Sequence, residues 1–132
     1  MSHARISEAL NALVFKPTPG VELAEVLNQY YSPDYTHRAD GRRLDFGAFT
    51  QMVAGIRDQV VAGEVTVLDE LRDGSTYAER HAYRITLKNG VTQHKEVAVF
   101  ATLAEDGRFQ HLSETGFDLD AGEDRVHAQS GE

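Results

Sequence analysis

Cysteine and tryptophan are absent from this chain, and proline occurs only 3 times in 132 residues. Without a thiol there is no disulfide, no thiolate zinc site and no cysteine nucleophile. No apolar run is long enough to cross a bilayer, and the start, MSHARISEAL, lacks the apolar core of a signal peptide. A cytoplasmic protein without a membrane partner is therefore expected. Positive charge is also short: 13 Lys and Arg against 21 Asp and Glu leave a net charge of -8, which repels phosphate backbones and argues against nucleic acid. There are 6 histidines but no HxH or HExxH pair, so no metal site is expected, and no cofactor either. Gly-rich phosphate loops are missing, and Ser32, Ser75 and Ser113 lack a nucleophile-elbow setting.

What is present suffices for one domain with a real core, at 41% hydrophobic residues. That domain is expected over 1–120, with 121–132 (AGEDRVHAQSGE) a polar, frayed tail. Ile6, Leu10, Leu13 and Val14 form one helical stripe that Lys16-Pro17 ends. Thr18 reads as the cap of a second helix with Pro19 at its first position and Leu23, Val26, Leu27 and Tyr30 as its buried stripe. Ser32-Pro33-Asp34 stops it, Tyr35-Thr36-His37-Arg38 reads as a short extended segment, and Asp40-Gly41 reverses the chain. Asp45 then caps a third helix carrying Phe46, Phe49, Met52, Val53, Ile56 and Val60 at helical spacing.

Past residue 62 the period becomes alternating. Asp73-Gly74, Asn89-Gly90 and Asp106-Gly107 mark three hairpins, giving antiparallel strands near 64–72, 75–88, 91–105 and 108–118. If each loop has two residues, 72 pairs with 75, 88 with 91 and 105 with 108, and every side chain is assigned a face. One face then carries Val65, Val67, Asp69 and Leu71, Ala78, Arg80 and Ala82, Val97, Val99, Ala101 and Leu103, and Leu112 and Glu114. Being mainly aliphatic, it is the face that helices would cover. The other carries Tyr77, Glu79, His81, Tyr83, His94, Glu96, Phe100, Phe109, His111 and Phe117. An aromatic, amphipathic face of this kind suits a homodimer interface.

In that register Arg80 and Glu114 flank Val99 from two strands apart, roughly 10 Å by backbone, with Asp69 near enough to join them. Two readings stay open. The charges form a structural ion pair anchoring the sheet, or they line a pocket in which Glu114 is a general acid or base and Arg80 orients a polar substrate group. His37 shares its parity with Tyr35, so both point inward, with Tyr31 close by; Met52 on the third helix adds a soft wall to any cavity.

Three helices followed by an antiparallel meander, with YYSPDYTHRADG at 30–41, the helix from Asp45 and EVAVFATLAEDGRFQHLSE at 96–114, resemble the nuclear transport factor 2-like superfamily and its SnoaL-like domains. The resemblance implies an α+β cone: N-terminal helices packed on a curved, mainly antiparallel sheet around an internal pocket, as in cystatin-like folds, with dimers formed through the sheet's outer face. It implies a cofactor-independent site for a small, mostly apolar ligand, with acid/base chemistry of isomerase, cyclase or hydrolase type. Glu114 matches the acid that follows the last glycine turn, and His37 matches a histidine near the first short strand. The same fold also serves as a non-catalytic ligand-sensing or dimerisation module. The ketosteroid isomerase pattern fits less well, because its two acids would fall at about Ala39 and Val99.

Overall fold

The structure is a computed structural model that describes residues 3–119; the tail expected over 121–132 lies outside the described residues. An α-helix α1 (Ile6–Leu10) runs on into a π-helical turn (Asn11–Phe15), and is followed by α2 (Leu23–Tyr30), β1 (Tyr31–Ala39), β2 (Arg42–Leu44) and α3 (Phe46–Gln59). Then come β3 (Val60–Asp73), β4 (Thr76–Leu87), β5 (Thr92–Leu103) and β6 (Phe109–Asp118). The strands form one curved, open sheet in the order β2-β1-β6-β5-β4-β3. Every neighbouring pair is antiparallel except β1 with β6, and the helices cover one face. This is the α+β arrangement the sequence implied. Among the described residues no helix is long and apolar enough to cross a membrane.

Local chemistry explains the helix ends. The Asp45 carboxylate accepts the Ala48 amide at 2.8 Å and starts α3. Asp40 (φ 48°) and Gly41 (φ 86°) both take left-handed backbone, which is what a tight hairpin between Ala39 and Arg42 demands. Two helical expectations need correction. Thr18 does not cap a helix: Pro19-Gly20 makes a turn closed by the Val21 amide on the Thr18 carbonyl, Gly20 sits at φ 84°, and α2 starts only after Glu22. The first helix does not stay α-helical, for the Lys16 amide reaches back five residues to Asn11. That wider turn buries Leu13, Val14 and Phe15 in succession.

The Phe15 ring fills the place where a side chain on Gly63 would stand; a Cβ there would lie 2.7 Å from Phe15 Cδ1 and 3.0 Å from Ile85 Cγ2. Both neighbours are buried, so a side chain at position 63 must displace one of them. Gly63→Val is expected to cost about 1–3 kcal/mol by overpacking, read as a lowered thermal midpoint. An unchanged midpoint would show that the turn gives way freely.

The hairpin register differs from the two-residue expectation, and with it the faces. Lys88, Asn89 and Gly90 form a three-residue loop, with the Leu87 amide on the Val91 carbonyl at 2.8 Å and Gly90 at φ 87°. One extra loop residue turns β4 over relative to β5. Glu79, not Arg80, therefore faces Val99, and Arg80 pairs with Ala98. In β3 a bulge at Leu68, between the pairs Val67–His81 and Asp69–Arg80, turns Asp69 and Leu71 outward while Val65 and Val67 stay inward. In β6 a bulge at Gln110 brings Phe109, expected outside, fully into the core.

Candidate functional site

A cavity of about 560 Å³ lies between the helices and the inner face of the sheet. Its walls are largely apolar: Ile6, Leu10, Leu13, Phe15, Phe49, Met52 and Val53 on the helical side, and Ile85, Leu87, Val97 and Leu112 on the sheet side. The exposed residues Asp40, Gln51, Gln59 and Gly116 also border it, so it opens to solvent near the β1–β2 turn and the C-terminal half of α3.

Two imidazole–carboxylate pairs face this cavity. The first combines β1 and β6. Pairing of His37 with Leu112 brings β1 alongside β6 two residues before Glu114, and His37 Nε2 stands 3.5 Å from Glu114 Oε1. The pair is close enough to feel charge but is not hydrogen-bonded, and Nε2 is a buried polar atom without a partner. On the other side of the ring, His37 Nδ1 meets the Tyr35 hydroxyl at 2.7 Å. Tyr35 is wedged edge-on against Tyr31, and both rings pack on Phe49. Burial pushes the phenols of Tyr31 and Tyr35 well above their usual range, and the nearby Glu114 charge pushes the same way, so both remain protonated. Tyr35 is thus a neutral phenol that fixes the imidazole ring.

Glu114 itself is only one-third exposed, at 33% of its side chain, and among the described residues its carboxylate accepts no hydrogen bond. The turn beside it is tied down. The Asp40 amide donates to the Glu114 carbonyl at 3.0 Å, and the Asp40 carboxylate accepts the Gly116 amide at 3.3 Å.

The second pair lies on β4. Glu79, with a side chain 0% exposed, accepts from the Ser7 amide at 3.3 Å and lies 2.7 Å from His81 Nδ1, and its Oε1 is 2.8 Å from the Tyr77 hydroxyl, whose one proton is shared between Glu79 and Glu70. The Tyr77 hydroxyl also contacts Glu70, whose carboxyl the Arg5 guanidinium and Tyr77 hold below its usual range. Next along the strand Tyr83 lines the cavity, and burial, helped by the Glu114 charge, pushes its phenol up to about 12. It is therefore a neutral hydrogen-bond donor at any ordinary pH. Among the described residues no three His, Asp or Glu side chains converge as metal ligands.

No protein-family model matches the sequence, and no curated protein matches it. Solved structures do. A proposed isomerase from Rhodopseudomonas palustris superposes with a TM-score of 0.72 at 15% identity, covering 93% of this chain and 94% of that one. A protein of ketosteroid isomerase-like fold from Catenulispora acidiphila, solved in complex with trimethylamine, gives a TM-score of 0.62 at 14% identity, covering 88% and 86%. A proposed SnoaL-like polyketide cyclase from Shewanella denitrificans gives 0.63 at 9% identity, covering 79% and 85%. This chain has the NTF2-like fold.

On the NTF2-like scaffold the residues singled out from sequence separate into two groups. Glu114, His37, Tyr31 and Met52 line the cavity, with Tyr35 directly behind His37. Val99 is buried in the inner face but is not part of the cavity wall. Arg80 and Asp69 are not there: both are on the opposite face, more than half exposed, and paired with each other. The extra loop residue before β5 and the bulge at Leu68 put them outside. Among the described residues the cavity wall therefore has no arginine, and Glu114 has no such counter-ion there.

Sequence reasoning missed Glu79, His81 and Tyr83, together with Gln93 and Lys95 on β5. A signal for the first three was present in the strand itself. Ile85 and Leu87 share their parity, and two aliphatic residues at a strand's end mark its inner face better than the small Ala78 and Ala82 do.

Proposed function

We propose that the cavity is a binding site for a small, mostly apolar molecule, and that Glu114 moves a proton to or from it without a cofactor. The single observation that carries this reading is a carboxylate that accepts no hydrogen bond among the described residues, facing an apolar cavity of about 560 Å³ beside an imidazole nitrogen likewise unpartnered there. A carboxylate in such surroundings is a base suited to carbon acids. The substrate class is an enolisable carbonyl compound. The C–H proton passes to the Glu114 carboxylate, the bond electrons move to the carbonyl oxygen, and a neutral hydrogen-bond donor stabilises that oxygen. Return of the proton to another carbon completes an isomerisation, and attack of the enolate carbon on a second carbonyl of the same molecule is a cyclisation. His37, held by Tyr35, orients the Glu114 carboxylate.

Solvent-exchange NMR tests this on a panel of mono- and bicyclic ketones in D₂O, alongside mass spectrometry of molecules released from the purified protein. Protein-dependent deuteration next to the carbonyl is the expected result. Binding without deuteration would leave a ligand-sensing module; neither binding nor deuteration would remove the reading altogether.

The outer face supports a second part of the proposal, assembly as a homodimer. Leu71, Ala78, Phe100 and Ser113 form one row across β3 to β6. Leu71 is 68% and Phe100 65% exposed, and Phe117 on the same face is 56% exposed. Large apolar side chains grouped on a sheet face suit a second copy of that face, which satisfies them symmetrically. Sedimentation at micromolar concentration is expected to show a dimer that Phe100→Glu converts to monomer. A monomeric native chain at that concentration refutes it.

A further inference from the structure

The proposed Glu114 chemistry uses one end of the cavity, and the Glu79–His81 pair at the other end has no part in it. Its construction is that of a site rather than of a packing contact. Glu79 is fully buried, accepts the Ser7 amide and lies 2.7 Å from His81 Nδ1; as a carboxylate it accepts the Nδ1 hydrogen and so fixes the ring's tautomer. His81 is only 2% exposed, yet it borders the cavity. With Nδ1 donating to Glu79, Nε2 of the neutral ring is a hydrogen-bond acceptor. The groups packed around the ring offer it little: Tyr83 stands 6.3 Å away between ring centres, and the residue opposite on β5 is Val97. An acceptor in an apolar wall needs a donor to face it.

The distance to the other end is fixed by the sheet. His81 pairs with Val97, and Val97 with Gly116, two residues beyond Glu114. Two strand spacings and two residues along the strand put the His81 and Glu114 backbones roughly 12 Å apart. Both side chains project inward from there, with Val97 and Leu112 as the apolar floor between them.

Resting on the function proposed above, we infer that His81, held by Glu79, binds a hydroxyl at the far end of the ligand, so that the substrate is a hydroxylated, rigid carbonyl compound. The hydroxyl donates to His81 Nε2 while the carbonyl end lies at Glu114. The two polar ends sit on opposite sides of an apolar body, which sets both orientation and register in the cavity.

Matched pairs of bicyclic ketones test this, such as 6-hydroxy-1-tetralone with 1-tetralone. The hydroxylated member is expected to bind about tenfold or more tightly, because the ketone without it leaves the acceptor unmet. His81→Phe should abolish that preference. Since substitution at a buried position risks the fold, the native protein supplies a second readout: the ¹⁵N resonance of His81 Nε2 should move with the hydroxylated ketone and stay still with the other. Equal affinities and a silent resonance overturn the inference. Deuteration of both ketones with equal affinities would overturn it while leaving the Glu114 reading standing. Loss of deuteration with the hydroxyl preference intact would strike the Glu114 reading alone.

Discussion

Glu114→Gln is expected to fold and melt like the native protein, yet to lose at least about a hundredfold of its ketone deuteration, the usual scale for removing a positioned base. The amide keeps the side chain's shape and removes only its charge and basicity. What makes the expectation sharp is that, among the described residues, Glu114 has no buried arginine or lysine as counter-ion. Arg80 lies on the opposite face, paired with Asp69, so neutralising Glu114 strands no buried cation. The charged neighbour it loses is at most a histidine 3.5 Å away. A structural ion pair would give the reverse pattern, since breaking a buried pair typically costs about 3–5 kcal/mol. Calorimetry and exchange rates on the same preparation decide between them. A large fall in the thermal midpoint with unchanged deuteration would end the catalytic reading.

The second large effect is alkaline. Tyr31, Tyr35 and Tyr77 are 4%, 1% and 0% exposed, and burial drives all three phenols above their usual value of 10.0. The favoured folded form is the neutral one, so the folded value is the higher. Below about pH 10 both states hold their protons and stability is complete. Above it the unfolded chain ionises first, and each ring removes up to about 1.4 kcal/mol of stability per pH unit. For Tyr83 that loss ends as pH passes its folded value of about 12. Set against a total of about 5–15 kcal/mol, several such rings unfold the domain within a few pH units. Circular dichroism and tyrosinate absorbance are expected to change together between about pH 10 and 12. Absorbance rising near pH 10 over an intact fold would show that the rings are not sealed.

Much of the fold was legible because it rests on local chemistry. The Asp45 cap, the Asp40-Gly41 reversal and the inward parity of Tyr35 and His37 each depend on a few neighbouring residues, and the structure has all three. Pairing of Val99 with Glu114 was also expected, although for an incomplete reason: between β5 and β6 a three-residue loop over 105–107, closed by the Ala104 amide on the Arg108 carbonyl, and the bulge at Gln110 cancel. What was not legible is loop length. Asn89-Gly90 is compatible with a loop of two residues or three, and the difference turns Arg80 outward and puts Glu79 and His81 on the inner face, His81 at the cavity wall. The dipeptide is read from adjacent residues, whereas the choice between loops is made by the whole strand. Burying Tyr77, His81 and Ile85 outweighs anything Ala78 and Ala82 could gain. The bulge at Leu68 has the same character: no residue there announces it.

That bulge also matters for the sheet's margin. β3 is 14 residues long and forms one border of the sheet, where a straight strand would offer a row of unpaired amides and carbonyls to any passing chain. The kink at Leu68 breaks the row, and Asp69 and Asp73, both exposed beyond it, place negative charge along it. A distortion that turns two side chains away from the cavity thereby protects the protein from growing into a fibre at its longest open side.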